Sequence, residues 1–274
     1  MSGVVLVVGG NSFIAGSFLE RSADDVIRVV AHGDALDPDL YAGVDTVVNF
    51  GVQPGFMTEP YREDLDFDAA LAAAIGDRVN HYVMLSSRKV YAPEQAWGAD
   101  EERPCAGADT YGRNRIQSER AVIARLGAHR VTVLRLGNVI GYERIPGRRM
   151  FMAQVLNRLL DRGEILFDMS PFVRRDFVPV DAVSEGIWRA VRQPHPGTYN
   201  LASGVPLMTG RIAMWVLEGY GQGELRVTDP RIFDEFCLDV GRYSGIWGRL
   251  VDEDGLARYC VGLGSRLLRE RGNA

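Results

Sequence analysis

Residues 3–21, GVVLVVGGNSFIAGSFLER, constrain the fold more than any other stretch of this chain. Val4 to Val8 is a short apolar run rich in β-branched residues, the pattern of a strand buried on both faces of a parallel sheet. Gly9-Gly10-Asn11-Ser12 breaks the run with small, turn-prone residues. From Phe13 the apolar positions Phe13, Ile14, Phe18 and Leu19 fall near helical spacing. A strand, a small-residue turn and a helix start form a phosphate cradle, because the turn admits a diphosphate and the leading helix N–H groups point at it. The small residues follow Gly9-x-x-Ser12-x-x-Ala15 with Gly16 behind, so the strict G-x-G-x-x-G is absent. Position, rather than the pattern alone, gives the motif its weight.

The formal charge of −5 gives no electrostatic case for nucleic acid or an anionic membrane. Lys89 is the only lysine; the other basic residues are arginines. Cys105, Cys237 and Cys260 have no paired spacing, which fits a reducing compartment. His32, His81, His129 and His195 lack metal-ligand spacing. With no leader and no apolar run long enough to span a bilayer, a cytoplasmic protein without bound metal is expected.

Val26–Val30 reads as a second strand. Its end decides between dinucleotides in such folds, an acidic residue favouring NAD and a basic one NADP. Here His32 and Gly33 stand near that place with Asp34 just beyond, so both cofactors stay open. Asp45–Phe50 is the next strand, and only Leu36–Val44 separates the two. That is too short for a helix, a strand and another helix, so one βα unit is expected to be lost or vestigial and the sheet narrowed near the second strand. A helix over 64–75, strands at 81–86 and 130–136, a helix from Thr110 to Leu126, a short strand at 177–180, a helix capped by Asp181 and an extended 198–201 follow. The expected fold is α/β, a Rossmann-type doubly wound parallel sheet. The regular alternation fades after Ile140. We therefore expect a dinucleotide-binding domain over 1–140 plus 177–202, and a small substrate cap over 141–176 and 203–274.

Ligands gather at the carboxyl ends of the strands in such a sheet. Ser86-Ser87, Thr110 to Arg115 and Arg135 to Gly141 all fall there. Together with VVNFG at 47–51, SSRKVY at 86–91, YGRNR at 111–115, LRLGNVIG at 134–141, RRDFVPVDAV at 174–183 and GTYNLASG at 197–204, they carry a resemblance over nearly the whole chain. The sequence resembles the extended short-chain dehydrogenase/reductases, the nucleotide-sugar epimerases, dehydratases and ketoreductases. The resemblance implies NAD(H) or NADP(H) held by Gly9, Ser12, Phe13, Ile14, His32, Asp34, Asn49, Phe50, Gly51, Tyr111, Arg115 and Leu136. It puts Tyr111 in the role of proton donor and Ser87 in that of the hydroxyl that holds the same oxygen. It also implies a nucleotide-sugar substrate contacted by Ser87, Asn138 and Arg175, and a homodimer.

Two departures matter. Where the family has lysine, this chain has Arg115, four residues after Tyr111 and on the same helix face. Arginine keeps the charge but is planar and bulkier. Where the sugar-nucleotide 4,6-dehydratases carry Asp-Glu, this chain has Arg88-Lys89, which cannot remove water by acid–base chemistry. Solvent exposure and substrate contact fit Arg88 and Lys89 equally. For Arg175, diphosphate binding and an ion pair with Asp176 weigh evenly. Arg144, Arg148 and Arg149 make the next loop basic. These readings lead to an NAD(P)H-dependent 4-ketoreductase of a nucleotide-linked keto-deoxysugar. An epimerase and a non-catalytic dinucleotide sensor are the alternatives.

Overall fold

The computed structural model describes residues 3–21, 26–142 and 151–272. Strand β1 (Val5–Val8) is buried at every position. Its side chains alternate between two cores: Val5 and Val7 face one, Leu6 and Val8 the other. That two-sided burial explains the unbroken apolar run. After the turn come α1 (Phe13–Glu20), β2 (Ile27–Val30), β3 (Thr46–Asn49), α2 (Phe67–Ile75) and β4 (His81–Ser87). The chain continues through β5 (Trp97–Ala99), α3 (Thr110–Leu126), β6 (Val131–Leu136), β7 (Asn138–Ile140), α4 (Phe151–Arg162), β8 (Glu164–Phe167) and β9 (Arg174–Pro179). It ends with α5 (Val180–Arg192), β10 (Gly197–Leu201), β11 (Pro206–Met208), α6 (Thr209–Tyr220), β12 (Glu224–Val227), β13 (Cys237–Leu238), α7 (Gly241–Trp247) and α8 (Glu253–Gly272).

The central sheet has six strands in the order β10-β6-β4-β3-β1-β2, all parallel. β2 is its edge, and only a 3-10 turn, Pro38–Tyr41, lies between β2 and β3. The short Leu36–Val44 spacing thus has the expected consequence: the sheet stops one strand beyond β1. Phe18, Trp188, Ile187 and Tyr243 fill the core on the α1, α5 and α7 side. Leu71, Ile75 and Val122 fill the side of α2 and α3. A third core joins α4, β8, α6 and α8 through Leu156, Phe167, Ile212, Val216, Leu256 and Cys260. No helix among the described residues is long and apolar enough to cross a membrane.

One boundary differs from the sequence reading. β9 starts at Arg174 and α5 is entered through Pro179, so Asp181 lies inside the first turn rather than capping it. Proline sets the entry backbone, and the carboxylate still meets the positive end of the helix dipole.

α6 and α8 pack closely enough that a Cβ on Gly219 would lie 1.9 Å from the Val261 carbonyl oxygen, and one on Gly264 2.0 Å from that of Val216. This backbone contact fixes α8 against α6. We expect Gly264→Ala to lower stability by about 1–3 kcal/mol through overpacking. That outweighs the roughly 1 kcal/mol that alanine adds in helix propensity. The midpoint of denaturant unfolding reads the change, and an unchanged or raised midpoint would contradict this packing.

Candidate active site

Gly9 has φ +78°, and a Cβ there would sit 2.9 Å from the backbone nitrogen of Gly51. Only glycine lets the end of β1 lie this close to the end of β3. Its N–H donates to the Val30 carbonyl at 3.1 Å, which ties the turn to β2. Ser12 is the N-cap of α1: its N–H donates to the Gly9 carbonyl, and its Oγ accepts from Ala15 N–H at 3.2 Å. Helix geometry leaves the N–H groups of Phe13 and Ile14 for an outside acceptor. A cavity of about 560 Å³ opens over this turn, between Gly10, Ser12 and Phe13 on one side and Tyr142, Asp181, Tyr259 and Arg266 on others.

These residues fit a dinucleotide. The cradle at Gly9 is one that a Cβ would fill, and α1 offers unpaired donors to a diphosphate. At the end of β2, the His32 ring stacks on Phe67 with centroids 3.4 Å apart, and its Nε2 is buried without a hydrogen-bond partner. Burial lowers the His32 pKa, against the field of Asp68. Asp34 is exposed on the turn beyond. Asn49 points inward: its Nδ2 donates to the Gly51 carbonyl and to Asp68, and its Oδ1 accepts from Gly51 N–H. Phe50 is buried beside it.

Asp109 caps α3 by accepting from Gly112 N–H at 2.7 Å. A Cβ on Gly112 would lie 2.1 Å from the Lys89 carbonyl oxygen, so the first turn of α3 rests directly on the turn that follows Ser87. That approach brings Tyr111 and Ser87 to the same end of the sheet. Ser87 Oγ accepts from Lys89 N–H at 3.2 Å, and Leu136 is its register partner on β6. Tyr111 Oη accepts from Arg115 Nε at 3.2 Å. Among the described residues neither hydroxyl hydrogen has an acceptor. Both groups thus take a hydrogen bond from the protein.

The Arg115 side chain is 3% exposed, and its Nη1 donates to Asp68 Oδ2 at 2.7 Å. Asp68, on α2, also accepts from Tyr82 Oη at 2.6 Å and Asn49 Nδ2 at 2.9 Å. Burial pulls the Arg115 pKa down, but Tyr111 and Asp68 hold it above its ordinary value. Phe56 covers the guanidinium at 5.1 Å and meets the Tyr111 ring edge-on. Asn114 fixes that cover by donating to the carbonyls of Phe56 and Glu59. The sequence reading missed both Asp68 and Phe56.

Arg88 and Arg175, for each of which the sequence leaves two roles open, each lose one of them. Arg88 is buried, not solvent-facing: it binds Asp234 with both Nη atoms, at 2.9 and 2.6 Å, and lies 3.7 Å over the Phe236 ring. Arg175 pairs with Asp234 rather than Asp176: Nη2 is 3.4 Å from that carboxylate, and Nε donates to the Asp234 carbonyl. Asp176 is fully buried and accepts from Ser203, Gly204 and Leu238. Burial and the field of Arg88 pull the Arg175 pKa down despite Asp234. Lys89 pairs at the surface with Asp109. Asn138 is half-buried at the start of β7. Arg144, Arg148 and Arg149 lie outside the described residues.

The sequence model of the NAD dependent epimerase/dehydratase family matches residues 5–202. The chain belongs to this family. None of the curated proteins compared matches it. Solved structures of epimerase/dehydratase type share its fold at low identity. One is an NAD dependent NDP-hexosamine 5,6-dehydratase of tunicamycin biosynthesis, at TM-score 0.79 and 20% identity over 99% of this chain and 98% of that one. Another is the UDP-N-acetylglucosamine 4-epimerase of Methanobrevibacter ruminantium M1 in complex with UDP-N-acetylmuramic acid. It has TM-score 0.85 and 16% identity over 98% and 99% of the two chains. RMD from Pseudomonas aeruginosa, complexed with NADPH, has TM-score 0.79 and 16% identity over 98% and 100%.

In this member of the epimerase/dehydratase family, Asp234 is the counter-charge of two buried arginines. It is also the non-glycine residue with positive φ, +53°, among those described. Arg88 holds its pKa below the ordinary carboxylate value although burial acts the other way. We expect Asp234→Asn, which keeps the local backbone preference, to cost about 1–3 kcal/mol at neutral pH. It leaves a buried arginine pair without its partner, and partial exposure keeps the loss below that of a fully buried pair. A depressed folded pKa contributes stability above the unfolded value and loses it as pH falls. The gap between variant and wild type should therefore close on acidification through the carboxylate range. Denaturant unfolding across pH checks this; a gap independent of pH would contradict the charge argument.

Proposed function

We propose that this chain is an NAD(P)H-dependent ketoreductase acting at C4 of a nucleotide-linked keto-deoxysugar. The observation that carries the reading is the pair of hydroxyls with free protons. Tyr111 and Ser87 each accept a hydrogen bond from the protein, and among the described residues neither has an acceptor for its own proton. A carbonyl oxygen is an acceptor only, so such a pair suits a keto substrate. The paired arginine at position 88 leaves no carboxylate after Ser87 for removal of water. Asn138 would contact the nucleotide diphosphate, and so would Arg175 through the part of its guanidinium not turned to Asp234.

When bound, the reduced nicotinamide cofactor supplies hydride to the carbonyl carbon. Gly9, Ser12, Phe13 and Ile14 would hold its diphosphate, and His32 would stand at its adenosine ribose. Ser87 donates to the carbonyl oxygen and fixes its place. Tyr111 donates to the same oxygen and transfers its proton there as negative charge develops. The guanidinium of Arg115 then faces the phenolate and stabilises it until solvent returns the proton. Arg115 stays charged throughout, since arginine does not lose its proton in proteins.

The test is NADPH or NADH oxidation with a nucleotide 4-keto-6-deoxysugar. Turnover is expected, falling about 10²–10⁴-fold in Tyr111→Phe. Isomerised sugar without net cofactor oxidation would replace this reading with an epimerase. Dinucleotide binding without any turnover, indifferent to Tyr111→Phe, would replace it with a non-catalytic binding protein.

A further inference from the structure

We infer that Asp68 is a positioning residue for Tyr111 and acts through Arg115. The inference rests on the role of Tyr111 proposed above and concerns what makes an arginine workable in that site. An arginine at this position has a long, flexible stem and a planar head. Left to itself, it can leave the tyrosine in several ways. Asp68 removes that freedom. One carboxylate oxygen takes Arg115 Nη1 at 2.7 Å, while the other is filled by Tyr82 Oη and Asn49 Nδ2. The carboxylate cannot turn without breaking those two bonds. Arg115 cannot turn without leaving a charge almost wholly buried and unpaired, since the two side chains are 3% and 4% exposed. With Nη1 so fixed, Nε lies 3.2 Å from Tyr111 Oη. The Phe56 ring closes the remaining side at 5.1 Å from Arg115 Cζ.

The elements involved are rigid ones. Asp68 sits in the first turn of α2, Tyr82 on β4 and Asn49 at the end of β3. The phenol is thereby referenced to the sheet rather than to its own helix alone. A lysine would form a point contact without orientation; the guanidinium fork transmits a direction from Asp68 to Tyr111.

The test is Asp68→Asn read in two ways. In steady-state assays of the whole protein, kcat should fall at least about 10-fold while the KM for the sugar stays within about 2-fold. In a Tyr111→Phe background the same change should cost no more than about 2-fold, because the two residues act as a unit. In 15N-arginine NMR without substrate, the Arg115 Nε–H signal is assigned by its loss in Arg115→Lys. It should exchange with water at least about 10-fold faster in Asp68→Asn than in wild type. Should Asp68→Asn not fold, Tyr82→Phe loosens the same carboxylate without unpairing a charge. It should lower kcat and speed that exchange in the same directions. Unchanged exchange, or unchanged kcat in an active enzyme, overturns the proposal. If the wild type shows no turnover, the functional reading fails separately, and the Arg115 signal alone decides whether Asp68 positions it.

Discussion

The buried ion pair of Arg115 and Asp68 connects the parts of this molecule that must stay in register. It joins α3 to α2 and, through Tyr82 and Asn49, joins both to the start of β4 and the end of β3. Removing two charges from water is costly unless every remaining polar site is satisfied. Here the carboxylate has three donors and the guanidinium has Asp68 and Tyr111, so the pair fixes orientation rather than adding much stability. The same guanidinium donates from Nε to the Tyr111 hydroxyl, so one contact fixes both the helix pair and the phenol.

Close backbone approaches supply the rest of the geometry. Gly9 lets the end of β1 lie against Gly51, and Gly112 lets α3 rest on the carbonyl of Lys89. The first approach forms the cradle at the start of α1, and the second seats the first turn of α3, which carries Tyr111, on the turn that follows Ser87. Both occur at the carboxyl ends of parallel strands, where a doubly wound sheet leaves room for a ligand. On the far side of Ser87, Arg88 and Arg175 converge on Asp234, so the segment that carries Asp234 is anchored to the turn next to the site.

Much of this was legible in the sequence because it is written in local periodicity. The run at Val4–Val8 announces a strand buried on both faces, and the brevity of Leu36–Val44 announces the missing unit. Four-residue spacing puts Tyr111 and Arg115 on one helix face. What escaped notice depends on partners remote in the chain. Asp68 lies 47 residues from Arg115, and in sequence it reads only as an acid at the start of an alanine-rich helix. Arg88 follows a strand in a polar stretch that leaves solvent exposure and substrate contact equally open; its partner Asp234 is 146 residues away. Arg175 stands next to Asp176, but adjacent residues in a strand face opposite ways, so the neighbour is not the partner.

The proposed reaction needs a dinucleotide held by the first turn to bring its nicotinamide to the hydroxyls of Tyr111 and Ser87. A crystal structure of the protein with NADPH decides this. The hydride-bearing carbon of the ring is expected within about 3–4 Å of the space bounded by the two hydroxyls, the separation of a near-attack arrangement, and the diphosphate on the N–H groups of Phe13 and Ile14. A ring lying elsewhere, with Tyr111 remote from it, would rule the reaction out.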